Sequence, residues 1–142
     1  MTKIAMTKFS IQTEGVTQSS GTAGEAYSKG GYLLYADAND DSKLKKADTS
    51  DVAKDNIIGM NVAEAALDDT MYYIPLPGLS NLLIDVEVGN VVNLGEAMYA
   101  VDSGEIGQWS DLSSGDKIVQ VGAVWTGTIL SIFFKDTGKT KA

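Results

Sequence analysis

At 142 residues the chain has the length of one domain, enough to bury roughly 70% of the surface its unfolded form exposes. It contains no cysteine and no histidine, which excludes disulfides, thiolate metal sites, a cysteine nucleophile and an imidazole base together. Eleven basic against nineteen acidic residues give a net charge of -8, the wrong sign for a protein that must neutralise phosphates, so nucleic acid is not an expected partner.

The chain begins with Met1-Thr2-Lys3-Ile4-Ala5-Met6-Thr7-Lys8, which lacks the apolar stretch of a secretory signal; no run reaches membrane-spanning length, so no membrane partner is expected. Residues 1–24 are rich in Thr, Ser, Gln and Gly and bury too little to fold alone, so they are expected to form a flexible N-terminal arm. Within it Thr7, Phe9 and Ile11 alternate with Lys8, Ser10 and Gln12, a period-two pattern suited to a strand laid against another sheet's edge.

From residue 25 to 136 the sequence reads as an all-β body. Strand-like runs cover 32–36, 56–62, 70–75, 82–88, 97–101, 117–125 and 128–134; they favour Val, Ile, Tyr and Phe and are bounded by Gly, Asp, Asn, Ser and Pro. Residues 49–54 offer at most one short helix, capped by Thr49 or Ser50. Such short strands at regular intervals predict a small barrel or sandwich, followed by a polar basic tail, 137–142, with Lys139 and Lys141.

One phrase occurs twice. Gly31-Tyr32-Leu33-Leu34-Tyr35-Ala36-Asp37 is echoed by Gly95-Glu96-Ala97-Met98-Tyr99-Ala100-Val101-Asp102, and each copy leads, past Asp48 or Asp111, to an apolar run holding one glycine, Gly59 or Gly122. The body therefore reads as two related β units. A duplicated β scaffold without the commonest catalytic side chains suggests surface contact, not chemistry, and no enzyme activity is expected.

Apparent chemical motifs fail on inspection. Asp37 to Asp48 has acids or amides at calcium-loop positions, but Ser42 replaces the turn glycine and Lys43, Lys45 and Lys46 crowd the site, so no metal is expected. Gly138-Lys139-Thr140 imitates the end of a phosphate loop, with Phe133 where its first glycine belongs, so no nucleotide or other cofactor is expected. Asp85 and Glu87 lie on one face of one strand and cannot flank a scissile bond from opposite sides; Glu64, Asp68 and Asp69 read as a polar turn.

The segment Tyr72-Tyr73-Ile74-Pro75-Leu76-Pro77-Gly78-Leu79 holds both prolines of the chain and a concentration of apolar groups at a bend. Proline keeps edges from pairing, and apolar groups on a turn are candidates for a subunit or partner contact. Of the two tryptophans, Trp125 extends an apolar strand and is expected in the core, whereas Trp109 offers no such clue.

On Gly24-Glu25-Ala26 after a Thr/Ser/Gly-rich start, Leu94-Gly95-Glu96-Ala97-Met98-Tyr99 opening the second unit, and Gln120-Val121-Gly122-Ala123-Val124 before the last strand, the chain resembles the capsid decoration, or cement, proteins of tailed bacteriophages over roughly residues 22 to 135. The resemblance implies a β-barrel-like body on the outer surface of the virion capsid, commonly a homotrimer, whose N-terminal arm pairs with the major capsid protein. Under that reading Thr7, Lys8, Phe9 and Ile11 in the arm, and Tyr72, Tyr73, Pro75, Leu76, Pro77 and Leu79 in the bend, are the expected contact residues. Two rivals are a head-fibre or receptor- or glycan-binding module, using Tyr72, Tyr73 and Trp109 as stacking faces, and a barrel holding a small apolar ligand in a pocket.

Overall fold

The computed structural model describes residues 9–79, 81–86, 93–126 and 129–142, and these form an all-β body of two antiparallel sheets. In chain order the strands are β1 (Ser10–Ile11), β2 (Ser19–Thr22), β3 (Leu33–Asp37), β4 (Lys43–Lys46), β5 (Gly59–Asn61), β6 (Thr70–Pro75), β7 (Leu82–Asp85), β8 (Ala97–Ala100), β9 (Ile106–Gly107), β10 (Lys117–Val124) and β11 (Ile129–Thr140). A six-stranded sheet runs β1-β7-β11-β10-β8-β9, and a five-stranded sheet runs β2-β6-β5-β3-β4.

Alternation along each strand decides what lies between the sheets. Leu33, Tyr35, Met60 and Ile74 from the five-stranded sheet meet Leu82, Ile84, Met98, Val119, Val121, Leu130 and Ile132 from the six-stranded one in a single buried core. The smaller sheet also curls on itself. Its two edge strands meet where Ala23 bridges Leu44, with the Gly24 N–H donating to the Leu44 carbonyl at 2.8 Å. The curl is filled by Ala23, Tyr27, Leu34, Leu44 and Met71, so packed side chains stand where the ligand-barrel alternative needs a pocket. Burial raises the Tyr27 phenol well above its usual value, and its hydroxyl donates to the Leu44 carbonyl at 2.8 Å.

The duplication is visible in the strand pairing. β3 pairs with β4 on one side and β5 on the other, while β8 pairs with β9 and β10 in the same arrangement. Leu34, just before Tyr35, stands opposite Gly59; Met98, just before Tyr99, stands opposite Gly122. Both glycines are there for close approach: a Cβ on Gly59 would lie 2.8 Å from the Ile74 carbonyl oxygen, and one on Gly122 would collide with that of Ser131. The faces are reversed between units, however, since Tyr35 is buried in the shared core and Tyr99 points outward against Trp109. The units are laced together by backbone bonds from Leu33 to the Gly104 carbonyl, 2.8 Å, and from Gly104 to the Ala47 carbonyl, 2.7 Å.

Several expected elements are redrawn. Residues 49–54 form turns and no helix, because the Asp48 carboxylate takes the Ser50 N–H at 2.9 Å and Asp51 takes that of Ala53 at 2.9 Å, local bonds that compete with a helical ladder. The one helical turn among the described residues is a 3-10 turn, Trp109–Asp111. The polar end of the chain continues β11 to Thr140, which pairs with Lys117. In the arm, β1 lies on β7 and β2 on β6, so residues 9–24 run along the body.

Candidate contact surfaces

The arm and the proline bend come together. Ser10 and Ile11 pair with Asp85 and Ile84 on β7, the Gln12 N–H donates to the Leu83 carbonyl at 2.8 Å, and the Leu83 N–H donates to Thr13 Oγ1 at 2.8 Å. Phe9 and Ile11 are half-buried and pack on the shared core, while Ser10 and Gln12 face solvent. The alternation read from the sequence is therefore obeyed, and the edge it dresses is the chain's own β7. Gly30 makes room for Phe9, since a Cβ there would lie 2.6 Å from the ring and 2.8 Å from the Val62 backbone. Thr7 and Lys8 lie outside the described residues.

Beyond β1 the arm turns through residues 13–17 and meets the bend. Thr13, Glu14, Val16, Pro75, Pro77 and Leu79 are among the residues that frame an open cavity of about 440 Å³. Pro77 is exposed, and Pro75 and Leu79 are half-buried. Leu76 is fully buried, fixed by its N–H to the Ile58 carbonyl at 3.1 Å, so it holds the bend from beneath and offers nothing to a partner. Tyr73 packs half-buried against the filling of the curl, which leaves Tyr72, 56% exposed, as the outward tyrosine of β6.

A second surface was not legible as a cluster. Leu94, Trp109 and Trp125 are 71%, 45% and 60% exposed; Leu94 precedes β8, Trp109 follows β9 and Trp125 follows β10 of the six-stranded sheet. The Gly95 N–H donates to the Val124 carbonyl at 2.8 Å, which ties the backbone before β8 to the end of β10, and Leu94 and Trp109 line a common cleft. The expectation that Trp125 lies in the core is overturned: Val124, the last residue of β10, takes the inward position, and Trp125 just beyond the strand end is 60% exposed.

The charged motifs are spoken for. Lys45 donates to Asp37 at 2.8 Å and reaches Asp40 at 3.0 Å, and Lys43 reaches Asp68 at 3.0 Å. The lysines thus pair with the carboxylates of that segment, and the hydrogen bond from Lys45 holds the Asp37 carboxyl below its usual range. The Asp37 carboxylate also accepts the Asn39 N–H at 3.0 Å, the Asx turn of an ordinary hairpin. Lys117 pairs with Asp136 at 2.8 Å; Lys141 donates to the carbonyls of Trp109 and Leu112 at 3.0 and 2.6 Å. Glu87 lies outside the described residues.

Compared with known protein families and with curated proteins, the chain matches none.

Proposed function

We propose that this chain is a capsid decoration protein. It binds the outer surface of a phage head as a homotrimer and stabilises contacts between major capsid protein subunits, without bond chemistry of its own. The observation that carries this reading is the single surface built by the arm, residues 9–17, and the bend at Pro75, Pro77 and Leu79. A two-sheet body whose arm and bend present a mixed surface of threonines, a glutamate, prolines, Val16 and Leu79 suits a clamp, whose usefulness lies in the area it covers, and the acidic charge is harmless to a protein that does not meet packaged DNA. The resemblance to cement proteins supports the same reading.

Mixing purified protein with expanded empty heads tests it. Saturable binding is expected, weakened at least tenfold by deleting residues 1–8 and by Pro77→Glu, each of which leaves every described strand in place. Deletion of residues 1–15 is a poorer test, because it removes β1 and part of the shared core packing. Binding unaffected by both changes would refute the assignment of that surface, and absence of binding would refute the function. A second reading, a head-fibre or receptor- or glycan-binding module on the virion surface, draws on the exposed Tyr72, Trp109 and Trp125.

A further inference from the structure

We infer that the cleft between residues 93–96 and 108–110 is a binding site for a neutral carbohydrate chain. Asn93, Leu94, Glu96, Gln108, Trp109 and Ser110 line an open depression of about 590 Å³. Its chemistry is that of sugar recognition. A pyranose ring is amphipathic: one face presents C–H groups, slightly positive, and its rim presents hydroxyls. The C–H face matches the negative face of an indole, and the hydroxyls need amide and carboxylate partners at fixed positions. Here an exposed Trp109 and Leu94 stand beside that mixture of polar groups, with two amides, a carboxylate and a serine on the same walls.

The platform is held in place from below and behind. The Tyr99 ring meets Trp109 edge-on, with centroids 5.4 Å apart, and the Lys141 ammonium lies 5.1 Å from the Trp109 ring centre while bonded to the Trp109 and Leu112 carbonyls. The turn that carries Trp109 is closed by the Gln108 N–H donating to the Asp111 carboxylate at 2.8 Å. Glu96 accepts from the Gln108 side-chain amide and from the Asn93 backbone N–H at 3.3 Å, which fixes the Glu96 and Gln108 side chains while leaving them hydrogen-bonding capacity, since an amide has two N–H donors and a carboxylate about four acceptor sites. Positioned polar groups with little freedom to lose favour binding of a flexible polymer.

Charge selects among sugars. The carboxylate of Glu96 within the cleft, on a chain of net charge -8, disfavours uronates, sialosides and the phosphates of nucleic acid, while the Lys141 ammonium near Trp109 is already bonded to the Trp109 and Leu112 carbonyls. The shallow, open form suits several residues of an extended chain.

The inference takes its ligand class from the second reading above and does not depend on shell attachment: a protein that clamps heads but ignores sugars sinks this site and leaves the clamp intact. Trp109 is one of only two tryptophans of the chain and the one that lines the cleft, so its indole N–H signal in a nuclear magnetic resonance spectrum reports on the site. Titration with cello-, malto-, laminari- and chito-hexaose should shift the Trp109 signal saturably for at least one sugar, with a dissociation constant on the order of 1 mM, typical of a weak site. Saturation transfer from protein to that sugar should fall at least tenfold in Trp109→Ala and in Gln108→Ala, while Trp109→Phe keeps most of it. No saturable shift with any of the four would overturn the site. So would an equal shift on diluting the protein without sugar, which would make this cleft an interface between copies.

Discussion

At the scale of single residues, the fold rests on a few positions whose neighbours leave no choice. Gly59 and Gly122 occupy corresponding places in the two units and both lie under a neighbouring strand's carbonyl. Gly59→Ala and Gly122→Ala should each lower stability by about 1–3 kcal/mol, the usual cost of forcing atoms into a filled space, as read from urea midpoints; the sequence showed these glycines as a repeated feature, and only the pairing shows why a methyl is barred. Asp136 provides a pH handle. Burial tends to raise its carboxyl, but the Lys117 ammonium at 2.8 Å and the Gly138 N–H outweigh burial and hold it below the usual range. A carboxyl depressed in the fold stabilises fully above the unfolded value near 3.9 and loses that contribution as pH falls through and below it. The urea midpoint should therefore drop below about pH 4, and Asp136→Asn should remove part of that drop; an unchanged acid limb in the variant would contradict the pair's role. Trp125 shows where residue-level reading failed, because hydrophobicity alone cannot say which of two adjacent apolar residues, Val124 or Trp125, takes the inward position.

Elements were legible in proportion to their apolar content. β6, Thr70–Pro75, has the bounds its composition predicts, and β3, β8 and β10 end within a residue or two of theirs. β4, Lys43–Lys46, was missed because three lysines surround one leucine; it is a strand because β3 supplies the hairpin partner, and Leu44 fills the curl. The end of β11 was missed for the same reason, its polar residues being held by pairing to Lys117. Of the contact residues, the alternation of Phe9 and Ile11 was legible, but their docking onto β7 beside Gly30 depends on a neighbour distant in sequence. Since Phe9 is half-buried, Phe9→Ala should destabilise by about 1–3 kcal/mol, below the range for a fully buried phenylalanine. Amide exchange should then quicken at Gln12, whose N–H bonds the Leu83 carbonyl at 2.8 Å, before it quickens in β10. Uniform exchange across both would contradict an arm that is a separate, weakly held layer.

For the whole molecule, two sheets share one core, the smaller sheet curls around a second, and lacing at Gly104 ties the units into one body. That architecture agrees with the expected barrel or sandwich of two related units, while the reversal of inward faces between Tyr35 and Tyr99 lay beyond any sequence argument. Under the proposed function, such a body would add to a shell the free energy of the contacts it makes, and by mass action it would stabilise only the state to which it binds. The most direct measurement is the temperature at which DNA-filled heads release their contents, taken with the protein absent and then restored to saturation. The proposed clamp predicts a higher release temperature that rises with occupancy and reverts when the Pro77→Glu form is used at the same concentration. Heads that bind the protein to saturation yet burst at an unchanged temperature would contradict it.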